Sequence, residues 1–238
     1  DVDGHDAAHK VGILASLAHG FWVKPEKVYT EGIRHVAPLD LEFASKLGYT
    51  IKLLGIIKTS KTGPVQVTMF PSLIPNDHVL ANVSDVYNGI LVRGDVVGDT
   101  LYYGQGAGQD ATASAVLSDI GDAILDLAHG ATERIKAFNS HEANGEVRPI
   151  DDVTSCYYLR LNVIDRLGVL AKVSTILAKN KIGISSVIQP EGHEGKSVPL
   201  ILMLHYARNG AMTRALKAIN KLASVKANSV MIRVENFE

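Results

Sequence analysis

The sequence predicts an α+β protein in two parts: a mixed sheet with covering helices, then a ferredoxin-like βαββαβ module. Three observations carry this reading. Helix-period and strand-period apolar stretches both occur in the first part, without regular alternation. A polar stretch with Gly and Pro, NSHEANGEVRPIDD, then breaks both patterns. After it they restart in the order strand, helix, strand, strand, helix, strand, which is the split βαβ arrangement. The expected boundaries are a first domain at 1–142, a linker at 143–156 and the module at 157–238.

The elements follow in order. Residues 6 to 18, DAAHKVGILASLA, are apolar at helical spacing, with Asp3 or Asp6 as caps and Gly20 suited to the C′ position. LDLEFASKLG gives a short second helix, with Asp40 near its start and Gly48 past its end. TIKLLGIIKTS and PVQVTMFPSLI are β-branched strands separated by a Lys-Thr-Gly turn. NGILVRGDVVGDTLYYG reads as two more strands, with Gly-Asp turns at 94–95 and 98–99. From Asp110 to about Phe138 the pattern is helical, through Val116, Leu117, Ile120, Ile124, Leu127, Ala131 and Ile135. In the module, CYYLRLNVI, IGISSVIQ, SVPLILMLHY and VKANSVMIRVE are strands, and LGVLAKVSTILAKN and AMTRALKAINKLA are helices.

Composition narrows the function classes. The chain has 238 residues, 46% hydrophobic and 21% charged, enough for a sizeable core. A net charge of -1 supplies no field for nucleic acid or an anionic membrane. No apolar run is long enough to span a bilayer, and no secretory leader is visible. Cys156 is the lone cysteine, which excludes a disulfide framework and fits a reducing compartment, the cytoplasm. The chain lacks an initiator Met and begins inside a motif, so a fragment without its N-terminal part is expected.

Four stretches carry candidate chemistry. His5, Asp6 and His9 read H-D-x-x-H, near the zinc-protease H-E-x-x-H. Asp is shorter than Glu and no third ligand follows at a convincing spacing, so two solvated histidines are the plainer reading. Asp6 and Lys10 lie four apart and face each other on a helix. Spacing alone reads as a surface ion pair. In a cleft the Lys amine can exchange a proton with a substrate carbonyl while Asp holds it. Asp1 and Asp3 add negative charge, suited to a cationic group or to the helix dipole. Gly104, Gly106 and Gly108 precede the long helix as G-x-G-x-G, which is not the dinucleotide fingerprint because Gln109 takes the last position. They allow either close ligand approach at a helix start or a tight turn capped by Asp110. In VIDRLGVLAKV, a strand ends at Asp165-Arg166 and Gly168 turns the chain into a helix. That helix start can hold a carboxylate, or the stretch is a plain βα turn.

Across nearly its whole length the chain resembles homoserine dehydrogenases. The resemblance rests on D-V-D-G-H-D-A-A-H-K at 1–10, E-G-I at 31–33, D-x-x-x-A-x-x-L-G-Y at 40–49 and I-K-L-L-G at 51–55. M-F-P-S-L-I-P at 69–75, Y-Y-G-Q-G-A-G at 102–108 and T-A-S-A-V at 112–116 continue it. From about 157 the tail resembles an ACT domain, with D-R-x-G-V-L at 165–170. The resemblance implies reversible, NAD- or NADP-dependent interconversion of L-aspartate 4-semialdehyde and L-homoserine. It implies Lys10 as acid–base group with Asp6 beside it, and Asp1 holding the substrate ammonium. It places Gly104, Gly106 and Gly108 near the nicotinamide side of the cofactor. Ala111 stands where the family usually has Pro, a favourable but dispensable residue at a first helical position. The family's Rossmann half and its G-x-G-x-x-G lie outside this sequence, so the chain alone is expected to be inactive. For the module it implies feedback sensing, with L-threonine as effector at Asp165, Gly168, Val169, Leu170, Ile184 and Ser185, in a homodimer or homotetramer. A non-enzymatic amino-acid-sensing and assembly module is the alternative.

Overall fold

A computed structural model describes residues 2–59, 63–131, 145–190 and 195–237. The chain divides into two compact units, Asn76–Phe138 and the remainder.

The larger unit is built on one seven-stranded sheet. Its elements are α1 (His5–His19), β1 (Tyr29–Thr30), α2 (Pro38–Lys46), β2 (Tyr49–Lys58) and β3 (Gln66–Pro75). The smaller unit carries β4 (Tyr87–Gly94), β5 (Gly98–Gln105) and α3 (Gln109–His129). The larger unit then resumes with β6 (Thr154–Ile164), α4 (Val169–Lys179), β7 (Ile184–Ile188), β8 (Ser197–Arg208), α5 (Asn209–Ile219) and β9 (Val230–Val234). The expected α+β class and the βαββαβ order are therefore both present. The spatial order β9-β6-β8-β7 is antiparallel throughout, and α4 and α5 pack against one face through Val173, Leu177, Met212, Ala215 and Ile219.

The sheet runs across the boundary expected at 143–156. β9 pairs in parallel with β3 at Ser72↔Arg233 and Leu73↔Val234, so the first part and the βαββαβ part share one sheet. Residues of the expected linker are tied down too, with the Val65 amide donating to the Glu146 carbonyl at 2.8 Å and the Arg148 amide to the Val65 carbonyl at 2.8 Å. Opposite α4 and α5, α2 covers the other face. Phe43 and Ala44 pack with Leu73, Tyr158, Ile201, Val230 and Ile232. α1 covers β2 and β3 on that same side, burying Ala8, Val11 and Ala15 against Val67 and Met69. Gly55 of β2 makes this possible: a Cβ there would fall 2.1 Å from Val11 Cγ2.

Three details differ from the sequence reading. α1 is capped by neither aspartate, because Gly4 holds the N-cap in a left-handed conformation (φ 78) and Asp3 is engaged elsewhere. α3 stops at His129, where Gly130 turns left-handed and the Ala131 amide bonds the Asp126 carbonyl at 2.8 Å. The expected continuation over 132–138 lies outside the described residues. The α3 N-cap is Gly108 (φ 126) rather than Asp110, which sits in the first turn.

Candidate active site

The first two turns of α1 present Asp6 and Lys10 side by side, with 2.7 Å between Lys10 Nζ and Asp6 Oδ2. The helix's apolar stripe decides which way they point. Ala8, Val11, Gly12 and Ala15 turn to the sheet, leaving positions 6 and 10 outward. Both side chains are open to solvent, at 60% and 64% exposure. A hydrogen bond and the charge of Lys10 hold the Asp6 carboxyl below the usual carboxylate range. The helix therefore presents an ammonium with a fixed carboxylate beside it, a donor–acceptor pair suited to moving one proton. His5 and His9 share the exposed helix surface, and no cluster of three or more His, Cys, Asp or Glu suited to a metal exists among the described residues.

The loop entering α1 is tightly seated. A Cβ at Gly4 would meet Thr30 Cγ2 at 3.2 Å, and a Cβ at Gly32 would meet the Val2 carbonyl oxygen at 2.3 Å. The Ile33 amide donates to that same Val2 carbonyl at 3.0 Å. Arg34 forks onto Asp3 at 2.6 and 2.9 Å, and that contact holds the Asp3 carboxyl below its usual range. Glu31, next to Gly32, donates its amide to the Met69 carbonyl at 2.7 Å. Its carboxylate accepts from Tyr29 Oη and from both terminal nitrogens of Arg233 on β9, at 2.8 and 3.2 Å. Asp1 lies outside the described residues.

In the smaller unit, Gly104 ends within β5, while Gly106 and Gly108 form the turn into α3. Gly106 sits under the Asn88 side chain, where a Cβ would fall 1.4 Å from Nδ2 and displace it, and its amide donates to the Val86 carbonyl at 3.0 Å. Gly108 is conformationally required by its positive φ. A Cβ at Gly104 would meet nothing within 4 Å, so open space lies over its backbone. The turn thus offers an open backbone surface and a helix start, features that fit a negatively charged cofactor. Along α3, Val116, Leu117, Ile120, Ile124 and Leu127 form an exposed apolar stripe.

A cavity of about 210 Å³ opens where β6 runs into α4. Asp165, Gly168, Val169 and Leu170 line it, together with Val163, Gln189 and Leu200. Gln189 Nε2 donates to Asp165 Oδ1 at 3.1 Å, and Gly168 turns left-handed (φ 82) to start α4. Ile184 and Ser185 do not line this cavity. They stand on β7, which among the described residues pairs with β8 alone and has no partner on its other edge.

The family model for homoserine dehydrogenase matches residues 1–120. A curated homoserine dehydrogenase from Pseudomonas aeruginosa is 41% identical over 241 residues, covering 100% of this chain and 55% of its own length. The chain belongs to the homoserine dehydrogenase family. A Helicobacter pylori homoserine dehydrogenase is likewise 41% identical over 236 residues, covering 99% of this chain and 55% of its own. A crystal structure of a homoserine dehydrogenase from Thiobacillus denitrificans superposes with a TM-score of 0.91 at 38% identity, covering 100% of this chain and 54% of that one. The chain thus spans about half the length of the curated homoserine dehydrogenases it matches. Among the described residues, no helix is long and apolar enough to cross a membrane.

Within this chain, spacing brought Asp6 to Lys10, and Asp165 to the start of α4. It did not reveal the Glu31–Arg233 contact, whose partners stand 202 positions apart. The available signals were the glycine of E-G-I, which marks a close backbone approach, and the lone arginine in the apolar strand VMIRV.

Proposed function

We propose that this chain supplies the substrate-binding half of a homoserine dehydrogenase, which reversibly reduces L-aspartate 4-semialdehyde to L-homoserine. The carrying observation is the Asp6–Lys10 pair, held at 2.7 Å on a helix seated by two glycines, Gly4 with its left-handed backbone (φ 78) and Gly55 in close contact with Val11. NADPH or NADH, when bound, supplies the hydride. As the aldehyde carbon becomes an alcohol, Lys10 Nζ donates a proton to its oxygen, and in the reverse direction Lys10 takes that proton back. Asp6 orients the amine through its 2.7 Å contact. Asp1 would hold the substrate ammonium, and Gly104, Gly106 and Gly108 would lie against the cofactor. Both Asp6 and Lys10 are more than half exposed. A nucleotide-binding half is proposed to close over them and exclude water.

The test joins residues 1–238 behind the N-terminal domain of the Pseudomonas aeruginosa relative. Semialdehyde-dependent NADPH oxidation is expected in the fusion and not in residues 1–238 alone. Lys10→Ala should lower its kcat by about 10²–10⁴-fold with an unchanged circular dichroism spectrum. A fusion as active with Lys10→Ala as without it sinks the assignment.

The cavity at the β6–α4 turn favours a sensing role for the βαββαβ part, read as an ACT domain with L-threonine as effector. Its volume suits a small amino acid, and Asp165 and Gln189 give it a polar end. The β7 edge, without a partner among the described residues, supports a homodimer or homotetramer joined edge to edge, with Ile184 and Ser185 brought to a second copy's cavity. A cytoplasmic location fits a chain whose single cysteine, Cys156, can form no disulfide within it. Calorimetry with L-threonine should show binding and thermal protection. Neither heat nor protection would remove threonine as the effector. Binding with an inactive fusion would favour the non-enzymatic sensing module.

A further inference from the structure

Arg233 stands at the junction of the two parts of the larger unit. It is 1% exposed, yet it carries a full charge. Its guanidinium donates to both Glu31 carboxylate oxygens and to Asn209 Oδ1 at 2.7 Å, and it lies 4.3 Å from the Phe70 ring centre. Asn209 begins α5, and Phe70 belongs to β3, so one side chain binds elements from both parts. Its Nε has no hydrogen-bond partner among the described residues, nor has the nearby Tyr157 hydroxyl, its register partner on β6. Such a group is costly to bury, and a hydrophobic pair would hold the sheet as well or better. The pair therefore calls for a reason beyond holding the sheet together.

What Glu31 touches supplies one. Its amide is fixed on β3, its neighbour Gly32 lies against the Val2 carbonyl and the Asp3 Cα, and its own carbonyl oxygen would lie 3.6 Å from a Cβ at Gly4. Ile33 then holds Val2, and Arg34 holds Asp3. The segment 31–34 is thus a brace against the loop that opens into α1, two residues before Asp6. Arg233 clamps the Glu31 side chain of that brace.

We propose that Arg233 and Glu31 are a positioning pair, through which the C-terminal βαββαβ part sets the α1 entry loop and with it Asp6 and Lys10. This rests on the acid–base role proposed for Lys10. The C-terminal part then contributes to catalysis itself, besides any sensing of an effector.

A second buried ion pair gives an internal control. Asp40 and Arg160 also join the two parts, and the side-chain hydrogen bonds they make among the described residues run to each other, Tyr158 and Ala37 and not to the α1 entry loop. In the fusion enzyme, Arg233→Met and Arg160→Met should both lower the melting temperature. At a temperature where both remain folded, Arg233→Met should cut kcat by roughly tenfold or more, and Arg160→Met by less than about twofold. Arg233→Lys, which keeps charge without the fork, should recover part of the loss. Equal kcat losses in the two Met variants, or an unchanged kcat in Arg233→Met, would overturn the proposal. Hydrogen exchange on residues 1–238 alone reads the same inference without turnover. Arg233→Met should speed exchange at the Ile33 and Ala8 amides, and Arg160→Met should not. If the parent fusion is inactive, the function assignment fails, and the exchange result still decides whether Arg233 sets the loop.

Discussion

Arg160 forks its guanidinium onto the fully buried carboxylate of Asp40, at 2.5 and 2.9 Å, across 120 positions of sequence. Tyr158 Oη donates to the same carboxylate at 3.0 Å, and the Ala37 amide at 2.8 Å. Every lone-pair direction on Asp40 is used, so the burial cost is met by four donors. Asp40→Ala leaves the Tyr158 hydroxyl and the Arg160 charge without that acceptor. The expected loss is about 3 kcal/mol, the low end for a buried pair because Arg160 keeps some water contact. Joint Asp40→Leu and Arg160→Met replacement should recover most of it. Urea midpoints decide this; an unchanged midpoint in Asp40→Ala would show that the pair contributes nothing.

Glycine substitutions should separate structure from function. At Gly32 a Cβ would sit 2.3 Å from the Val2 carbonyl and 2.7 Å from the Asp3 Cα, so backbone must move. Gly32→Ala should therefore lower kcat of the fusion by roughly tenfold, through displacement of the α1 entry loop. Gly121 lies inside α3, where a Cβ meets nothing within 4 Å. Gly121→Ala should stabilise that helix by about 0.5–1 kcal/mol, visible as a higher melting temperature. A Gly32→Ala enzyme with parental kcat would show that the loop tolerates the shift.

The periodic patterns carried most of the fold. α1, β2, β3, the hairpin of β4 and β5, and the βαββαβ order were all legible, because apolar spacing and turn residues mark each of them locally. The Asp6–Lys10 contact was legible for the same reason, since helix geometry fixes neighbours four apart. The shared sheet was not. β3 and β9 meet over two register pairs between segments more than 150 residues apart, and nothing local marks such a pairing. The polar stretch before β6 looked like a tether, whereas Glu146 and Arg148 bond Val65 at the foot of β3. The two arginine-paired carboxylates, buried Asp40 and part-buried Glu31, read in sequence as a cap residue and a motif letter. Their arginine partners lie on strands whose apolar surroundings give no sign of a charge facing inward.

Acid should weaken the Glu31 clamp. Burial pushes the Glu31 carboxyl up, but the Arg233 hydrogen bonds and charge, with the Tyr29 hydroxyl, pull it below the ordinary 4.5 on balance. A carboxyl depressed in the folded state adds stability above its unfolded value, and that stability is lost as pH falls through the folded value. Between neutral pH and about 5 the contribution should be flat, and below the ordinary glutamate range it should decline. Glu31→Gln should be less stable at neutral pH and lose less on acidification. Unfolding curves run at a series of pH values test this, and parallel acid limbs in both proteins would assign the acid loss elsewhere.

Removing the C-terminal part should unfold the rest, contrary to what a detachable regulatory domain would do. A chain ending at residue 150 loses β9, and β3 keeps β2 but gains an open edge at Ser72 and Leu73. Phe43, Ala44, Leu73 and Ile51 lose Tyr158, Ile201, Val230 and Ile232, which cover them in the complete unit. Glu31 and Asp40 lose Arg233 and Arg160, and uncompensated buried carboxylates are among the most destabilising changes available. An exposed apolar strand edge adds a route to aggregation. Residues 1–150 should accordingly be insoluble, or show neither near-ultraviolet dichroism nor a cooperative transition. A soluble 1–150 chain that unfolds cooperatively would mean that α2 and β3 close on each other without β6, β8 and β9, and the shared sheet would then be a contact between independent domains.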